Sequence, residues 1–102
     1  MKGGFEKALV EAIDEGLAIL GSGVANTIYY HVKKMSQVKR EEIPEKLDAF
    51  HGALEGIFGA GAKIIERCIA KSLYSKLGLS FTEHWSWTIA DYVKEAKKIK
   101  GE

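Results

Sequence analysis

The sequence contains little that would cross-link, kink or anchor a chain. Cys68 is its only cysteine, which excludes an intramolecular disulfide, and Pro44 is its only proline. No stretch of about 18 uninterrupted apolar residues occurs, so neither a membrane-spanning helix nor a membrane partner is expected. A charged segment follows the first four residues, where a secretory signal would need an apolar core. We therefore expect a cytoplasmic protein.

An excess of charge of one sign is also lacking. The 15 Lys and Arg residues nearly balance the 14 Asp and Glu residues, which leaves a net charge of +1. Dedicated nucleic-acid binders carry a stronger basic excess, so nucleic acid is not the expected partner. The basic run Lys33, Lys34, Lys39 and Arg40 is followed at once by two glutamates, which favours a solvated surface over a phosphate site.

The residues that are abundant favour helices. The chain has 102 residues, the size of one domain, and 46% of them are apolar, as in an average globular protein. Its charged residues are mostly Lys and Glu, which are good helix formers. We predict an all-α fold: one helical domain over residues 1–102, built as a small bundle of about five helices.

Apolar residues recur at three- and four-residue steps in five segments, which is the spacing of an amphipathic helix. The predicted helices are 4–20, 23–35, 44–58, 62–77 and 81–99. Ser22 is placed to cap the second helix, and Pro44 fits the first turn of the third. Gly78 fits a left-handed C-cap of the fourth helix, and residues 80–83 resemble a capping box for the last one.

Two Gly-x-Gly segments, at 21–23 and 59–61, leave the connections between helices open. The apolar phase continues across both, so each segment is either a turn or a bend inside one long helix. Two helical glycines cost about 2 kcal/mol relative to alanine. Turns would give a compact bundle of five helices. Bends would fuse the first two helices and the next two into a helical hairpin about 45 Å long.

Three residues are candidate contacts for a small ligand: His31, His51 and Cys68. The two histidines lie on the apolar stripes of the second and third helices, where they would face each other in an antiparallel arrangement. Cys68 belongs to the predicted inward stripe of the fourth helix, with Ile64, Ile65, Ile69 and Leu73, and is expected to be buried and inert. These positions would suit a sensor that binds a small apolar ligand or cofactor between helices.

The sequence shows no catalytic constellation. No His-x3-His or Cys-x2-Cys spacing predicts a metal site. Glu55 and Glu66 fall on helix faces, but no Glu-x-x-His pair accompanies them, so the ferritin-like di-iron pattern is absent. We expect neither an enzyme nor a resident cofactor or metal.

Four aromatic residues are candidates for a partner surface: Tyr29, Tyr30, Trp85 and Trp87. Tyr29 and Trp87 fall off the main apolar stripes, and Trp and Tyr are frequent energetic centres of protein interfaces. They favour a non-enzymatic interaction domain that binds either a protein partner or a second copy of itself in a homodimer.

The chain also resembles a small archaeal helical domain family of unknown function. The resemblance lies in the runs Leu20–His31, Glu42–Pro44, Ala49–His51, Ile57–Ala62 and Thr88–Val93. It extends over most of the chain. Members occur alone or as candidate output domains of archaeal signalling proteins, so the resemblance implies a signalling output module. It implies no catalytic or ligand-binding residue.

Overall fold

Five α-helices and two short 3₁₀-helices make up the regular structure of residues 3–101, which are the residues that the computed structural model describes. Met1, Lys2 and Glu102 of the predicted domain lie outside this range. The α-helices are α1 Gly4–Ala18, α2 Val24–Ser36, α3 Leu47–Phe58, α4 Ala62–Leu77 and α5 Ile89–Lys100. The 3₁₀-helices are Arg40–Glu45 and Gly59–Gly61. No strand occurs in residues 3–101, and the predicted all-α bundle is confirmed.

The antiparallel packing of α1 against α4 forms the centre of the bundle. This is the most extensive contact between any two elements. A Cβ atom added at Gly16 of α1 would lie 2.5 Å from Cγ1 of Ile69 and 3.0 Å from its Cα atom, so the two backbones approach closely here. The other helices pack around this pair and complete a single core. Its members include Leu9, Phe50, Ile89 and Tyr92.

The connection at 21–23 is a turn. Gly21 has φ of 130° and Gly23 has φ of 80°, values that residues with a Cβ atom rarely adopt. Gly23, not Ser22, stands at the cap position of α2, so the predicted Ser22 cap is wrong. Helix α1 also ends at Ala18, two residues before the predicted end.

The connection at 59–61 is a turn as well. Gly59 has φ of 58°, which ends α3, and one 3₁₀ turn leads into α4. Side chains 15 residues apart, at His51 and Glu66, touch across the two helices, which a continuous helix would hold about 22 Å apart. The extents of 34 × 33 × 24 Å also exclude the 45 Å hairpin that fused helices would have formed.

The segment before α3 differs from the prediction. Pro44 lies inside the 3₁₀-helix Arg40–Glu45 rather than in the first turn of α3, which begins at Leu47. Lys46, with φ of −136° and ψ of 47°, separates the two helices. Ile43 and Pro44 are buried, so this short helix contributes two apolar side chains to the core, of which the prediction had assigned only Pro44 to the next helix.

The predicted C-cap of α4 is confirmed. Gly78 adopts the left-handed conformation with φ of 72° and ψ of 26°. Its N–H donates to the carbonyl of Ser75, and the N–H of Leu79 donates to that of Tyr74. These two bonds are the pattern of a Schellman motif.

The predicted start of the last helix is wrong. Residues 79–88 form a loop, and α5 begins only at Ile89. The hydroxyl of Tyr92 binds both backbone groups of His84, accepting from its N–H at 2.9 Å and donating to its carbonyl at 3.1 Å. Loop aromatics pack on the same tyrosine ring, with Phe81 5.4 Å and Trp87 5.1 Å away between centroids. These tertiary contacts replace the helical bonds that the apolar periodicity predicted.

Candidate interaction surface

The solvent-facing side of α4 carries the most prominent exposed apolar surface near a groove. We define the α4 face by Ile19, Ile64, Arg67, Cys68, Lys71 and Trp85. Trp85 is 76% exposed, Ile19 70% and Ile64 58%. Large apolar side chains grouped in this way commonly mark an interaction site.

Two grooves meet on the α4 face. One, of about 600 Å³, lies between α1 and α4 and has Ile19 at one end and Lys76 at the other. The second, of about 340 Å³, lies between α4 and the 79–88 loop, with Ile64, Phe81 and Trp85 in its lining. Both are lined by Cys68 and Lys71, so the two grooves adjoin at these residues.

The charge on this side of the molecule is basic. Helix α4 carries Lys63, Arg67, Lys71 and Lys76, and its only carboxylate, Glu66, is completely buried. Lys63, Arg67 and Lys71 follow one another at four-residue steps and therefore lie in one row. Within residues 3–101, neither Lys63 nor Lys71 has a carboxylate within ion-pair distance. The α4 face thus combines apolar side chains with Lys71, a cation that has no carboxylate within ion-pair distance in residues 3–101.

Arg67 holds Trp85 in place. Its guanidinium carbon lies 4.2 Å from the centre of the indole ring, within the range of a favourable cation–π contact. The same guanidinium is 3.9 Å from the carboxylate of Glu83, at the long end of ion-pair distances. Trp85 is therefore oriented by the protein although most of its surface is open to solvent.

The groove between α1 and α4 has a fixed polar edge. The carboxylate of Glu15 accepts a hydrogen bond from Ser72 at 2.5 Å and lies 2.6 Å from Nζ of Lys76. The hydrogen bond with Lys76, and then that with Ser72, holds the pKa of Glu15 below its usual value. Of the cations lining this groove, Lys76 is neutralised and Lys71 is not.

Tyr29 is partly buried and belongs to a polar cluster with Asp14 and Arg40. Its hydroxyl donates to Asp14 at 2.5 Å, and Arg40 binds both oxygens of the same carboxylate, with Nε 3.0 Å from Oδ1. The hydrogen bond from Arg40 holds the pKa of Asp14 below its usual value. Arg40, which the sequence assigned to a solvated basic run, therefore joins α1, α2 and the first 3₁₀-helix.

The other three aromatic candidates lie in different settings. Trp87 is partly buried and stacks on His84 with ring centres 3.8 Å apart. Tyr30 is exposed on α2, away from the α4 face, with Lys34 over its ring at 5.9 Å. Of the four aromatics named from the sequence, only Trp85 belongs to the α4 face.

The three ligand-contact candidates are not brought together. His31 is exposed and contacts the ring of Tyr30, and neither groove on the α4 face is lined by His31 or His51. Cys68 is half-buried and lies where the two grooves meet, so the prediction that it is buried core is wrong. Among residues 3–101, no group of three or more His, Cys, Asp or Glu is placed to hold a metal ion.

His51 instead binds two glutamates. Its Nδ1 lies 2.6 Å from Oε2 of Glu66, and its Nε2 lies 3.2 Å from Oε1 of Glu55. Oε1 of Glu66 accepts a hydrogen bond from the backbone N–H of Ile89 at 2.7 Å. Both oxygens of the buried carboxylate are thereby satisfied, as burial of a charged group requires.

The role of Glu66 was missed because a charged residue interrupts the apolar pattern. The buried face of α4 consists of Ala62, Ile65, Glu66, Ile69, Ala70, Leu73 and Tyr74. The predicted stripe instead included Ile64 and Cys68, so it was rotated toward what is in fact the α4 face. The sequence does contain a signal that Glu66 is buried. Ala70 stands four residues after Glu66, so the glutamate lies in one helical row with an apolar residue.

Comparison with known proteins agrees with the fold. The chain is similar in structure to the crystal structure of PH0832 from Pyrococcus horikoshii OT3, with a TM-score of 0.76 and 22% sequence identity. The match covers 96% of this chain and 99% of the other, so the whole architecture is shared. No protein-family model and no curated protein matches the sequence. None of the helices in residues 3–101 is both long and apolar enough to cross a bilayer.

Proposed function

We propose that this chain is a non-enzymatic protein-interaction module, used as a signalling output domain, whose partner docks on the α4 face. The observation that carries the proposal is the exposed indole of Trp85, oriented by Arg67, beside a cation of the same helix, Lys71, that has no carboxylate partner in residues 3–101. Trp and Arg are the residues most often found at the energetic centres of interfaces. The signalling context comes from the family resemblance.

The partner that fits this face is an amphipathic helix with acidic side chains beside its apolar stripe. The two adjoining grooves are each bordered by α4, and apolar Ile19 and Ile64 line one groove each, so this surface suits a helix laid in a groove. Lys63, Arg67 and Lys71 line up along α4 at four-residue steps. Glu or Asp at three- or four-residue steps on the incoming helix would meet this row.

The apolar content favours a protein over a nucleic acid. Proteins that track a phosphate backbone rely on extended basic surfaces, and their affinity falls steeply with salt. Here Ile19 and Ile64 are more than half exposed, and each lines one of the two grooves. A phosphate backbone would leave these side chains without apolar contacts.

The cellular setting belongs to the same proposal. A lone half-buried cysteine on a binding surface suits a reducing compartment, where it forms no intermolecular disulfide. We therefore propose the cytoplasm as the place of action.

Three synthetic helical peptides test the proposal. They share one leucine face and carry Glu, Gln or Lys on its flanks, and their affinity is measured by fluorescence anisotropy. The Glu peptide should bind about tenfold or more tightly than the Lys peptide. Lys71→Glu should reverse this preference, whereas Lys94→Glu, an equal change of charge on the exposed side of α5, should leave it unchanged.

Other results would overturn the proposal. Equal binding of the three peptides, or the same effect of Lys71→Glu and Lys94→Glu, would remove the α4 face from consideration. Tight binding of a duplex oligonucleotide that falls steeply with salt would identify a nucleic-acid module instead. A dimer in sedimentation experiments that Trp85→Ala dissociates would identify a second copy of the chain as the occupant.

A further inference from the structure

The buried Glu66 lies directly beneath the loop that presents Trp85. It is the one charged or polar residue in 3–101 that is fully buried. Its neighbour in sequence, Arg67, lies under the indole of Trp85 with its side chain only 15% exposed, while Glu66 is buried and binds Ile89. Two adjacent residues of α4 therefore contact the 79–88 loop at Trp85 and the residue that follows the loop, Ile89.

Ile89 marks the end of that loop, because it is the first residue of α5. Its N–H is one of the groups that a helix leaves without an internal partner. The carboxylate of Asp91 accepts from the N–H of Thr88 at 2.9 Å, and Glu66 accepts from Ile89. A carboxylate at this position is also favoured by the helix dipole. Glu66 thus acts together with the Thr88–Asp91 capping box to fix where the loop ends and α5 begins.

His51 fixes Glu66 in turn. Nδ1 of His51 lies 2.6 Å from Oε2 of Glu66, within hydrogen-bond distance. The other ring nitrogen, Nε2, lies 3.2 Å from Oε1 of Glu55, so the imidazole is held between two carboxylates. The chain Glu55–His51–Glu66–Ile89 runs from the surface of α3 to the first backbone N–H of α5.

Stability alone does not explain a carboxylate at this place. Replacement of buried ionic groups by apolar residues of similar volume is often neutral or stabilising. A leucine would also continue the apolar row of Ala62, Ile69 and Leu73. What a leucine would lack is the acceptor that anchors Ile89.

We infer that Glu66 is a positioning residue for the interaction surface: through Ile89 it fixes the end of the 79–88 loop and so keeps Trp85 over Arg67. The inference rests on the proposed function in one respect only, that Trp85 is a contact residue. The order of the loop is measured without any partner, so the two proposals fail separately.

Amide hydrogen exchange of the whole chain tests the inference, with Glu66→Leu and Glu66→Gln as the pair of variants. Glu66→Leu should speed exchange in residues 80–89 by about tenfold or more, while exchange in α1 stays near its original rate. Glu66→Gln keeps an acceptor for Ile89 and a donor for His51, so it should retain most of the protection. Tyr92→Phe should loosen the loop at His84 and leave the Ile89 amide protected, because it removes the middle anchor alone.

A second readout follows Trp85 itself. In a Trp87→Phe background Trp85 is the only tryptophan, and Glu66→Leu should raise its quenching by iodide and lower its fluorescence anisotropy. Unchanged loop exchange in Glu66→Leu would overturn the inference, and so would equal acceleration in the loop and in α1. If either of these results occurs and the peptides still bind, the proposed function stands and only the inference about Glu66 fails. If Glu66→Leu loosens the loop but neither the original protein nor any variant binds any peptide, only the proposed function fails.

Discussion

At the scale of single residues, Gly16 determines how closely α1 and α4 pack. A Cβ atom at this position would lie 2.5 Å from Cγ1 of Ile69 and 3.0 Å from its Cα atom. The second distance involves backbone, which moves only together with its helix. The central helix pair of the bundle therefore depends on the absence of a side chain at this one position.

Gly16→Ala should destabilise the protein by about 1–3 kcal/mol, since overpacking outweighs the gain in helix propensity. The matched control is Gly52→Ala in α3, where an added Cβ atom meets nothing within 4 Å. That change should be neutral or stabilising by up to about 1 kcal/mol. Urea unfolding of both variants measures the difference, and equal stability changes of one sign would contradict this account of the α1–α4 contact.

Asp14 makes stability depend on pH in the acid range. Arg40 and Tyr29 hydrogen-bond its carboxylate and lower its pKa in the folded protein. The unfolded chain then takes up a proton at higher pH than the folded one, so stability increases with pH through this range. The contribution is complete above the unfolded pKa of about 4 and is lost as pH falls through the folded pKa. Glu15, whose pKa is also lowered, acts in the same direction.

Asp14→Asn should therefore flatten the decline of stability between about pH 5 and pH 2. At neutral pH it should cost about 1 kcal/mol, because both partners of the ion pair are more than a third exposed, at 39% and 38%. Urea midpoints at several pH values measure both effects. Glu41→Gln, at an exposed glutamate, serves as the control and should leave the profile unchanged. If the stability of Asp14→Asn declines with falling pH as steeply as that of the original protein, other groups cause the acid sensitivity.

At the scale of elements, local sequence signals specify the middles of the helices, and tertiary contacts determine several of their ends. The Gly78 cap was predictable, because a glycine followed by an apolar residue specifies that motif locally. The start of α5 was not, since residues 81–88 have helical periodicity but pack their aromatic rings on Tyr92. The inward face of α4 was misassigned for a related reason: Glu66 is buried by partners on two other elements.

The two alternative starts of α5 can be compared directly. Asp91→Ala removes the acceptor for the N–H of Thr88 and should destabilise the protein by about 1 kcal/mol. Ser80→Ala, at the cap that the sequence pattern predicted, lies in the loop and should change stability by less than about 0.5 kcal/mol. Thermal unfolding of both variants shows which substitution causes the larger loss of stability. A larger loss for Ser80→Ala would mean that the helix begins where the sequence pattern placed it.

At the scale of the whole molecule, the glycine turns decide the shape and therefore the surface. The apolar phase across both Gly-x-Gly segments was equally compatible with long bent helices. Positive φ at Gly21, Gly23 and Gly59 selects turns, and folding back at both places gives an extent of 34 Å at most. This arrangement brings Ile19, just after α1, beside Cys68 of α4 and so assembles the α4 face.

A surface that binds an acidic partner also affects whether the free protein associates with itself. Two copies that met through their α4 faces would bring together their Lys71 side chains, which have no carboxylate partner in residues 3–101, and this opposes association. We expect the purified chain to be monomeric at micromolar concentration in native mass spectrometry and sedimentation. A dimer that persists in Lys71→Glu but is lost in Trp85→Ala would point to self-association through the apolar part of the face.

The most direct test of the α4 face is a map of chemical-shift changes when the Glu peptide is added to ¹⁵N-labelled protein. The expected changes are concentrated at Ile64, Cys68 and Lys71 and at the indole N–H of Trp85, and they disappear in Lys71→Glu but not in Lys94→Glu. Changes centred on Tyr30 and Met35 of α2, or spread evenly over the molecule, would contradict the assignment of this surface as the binding site.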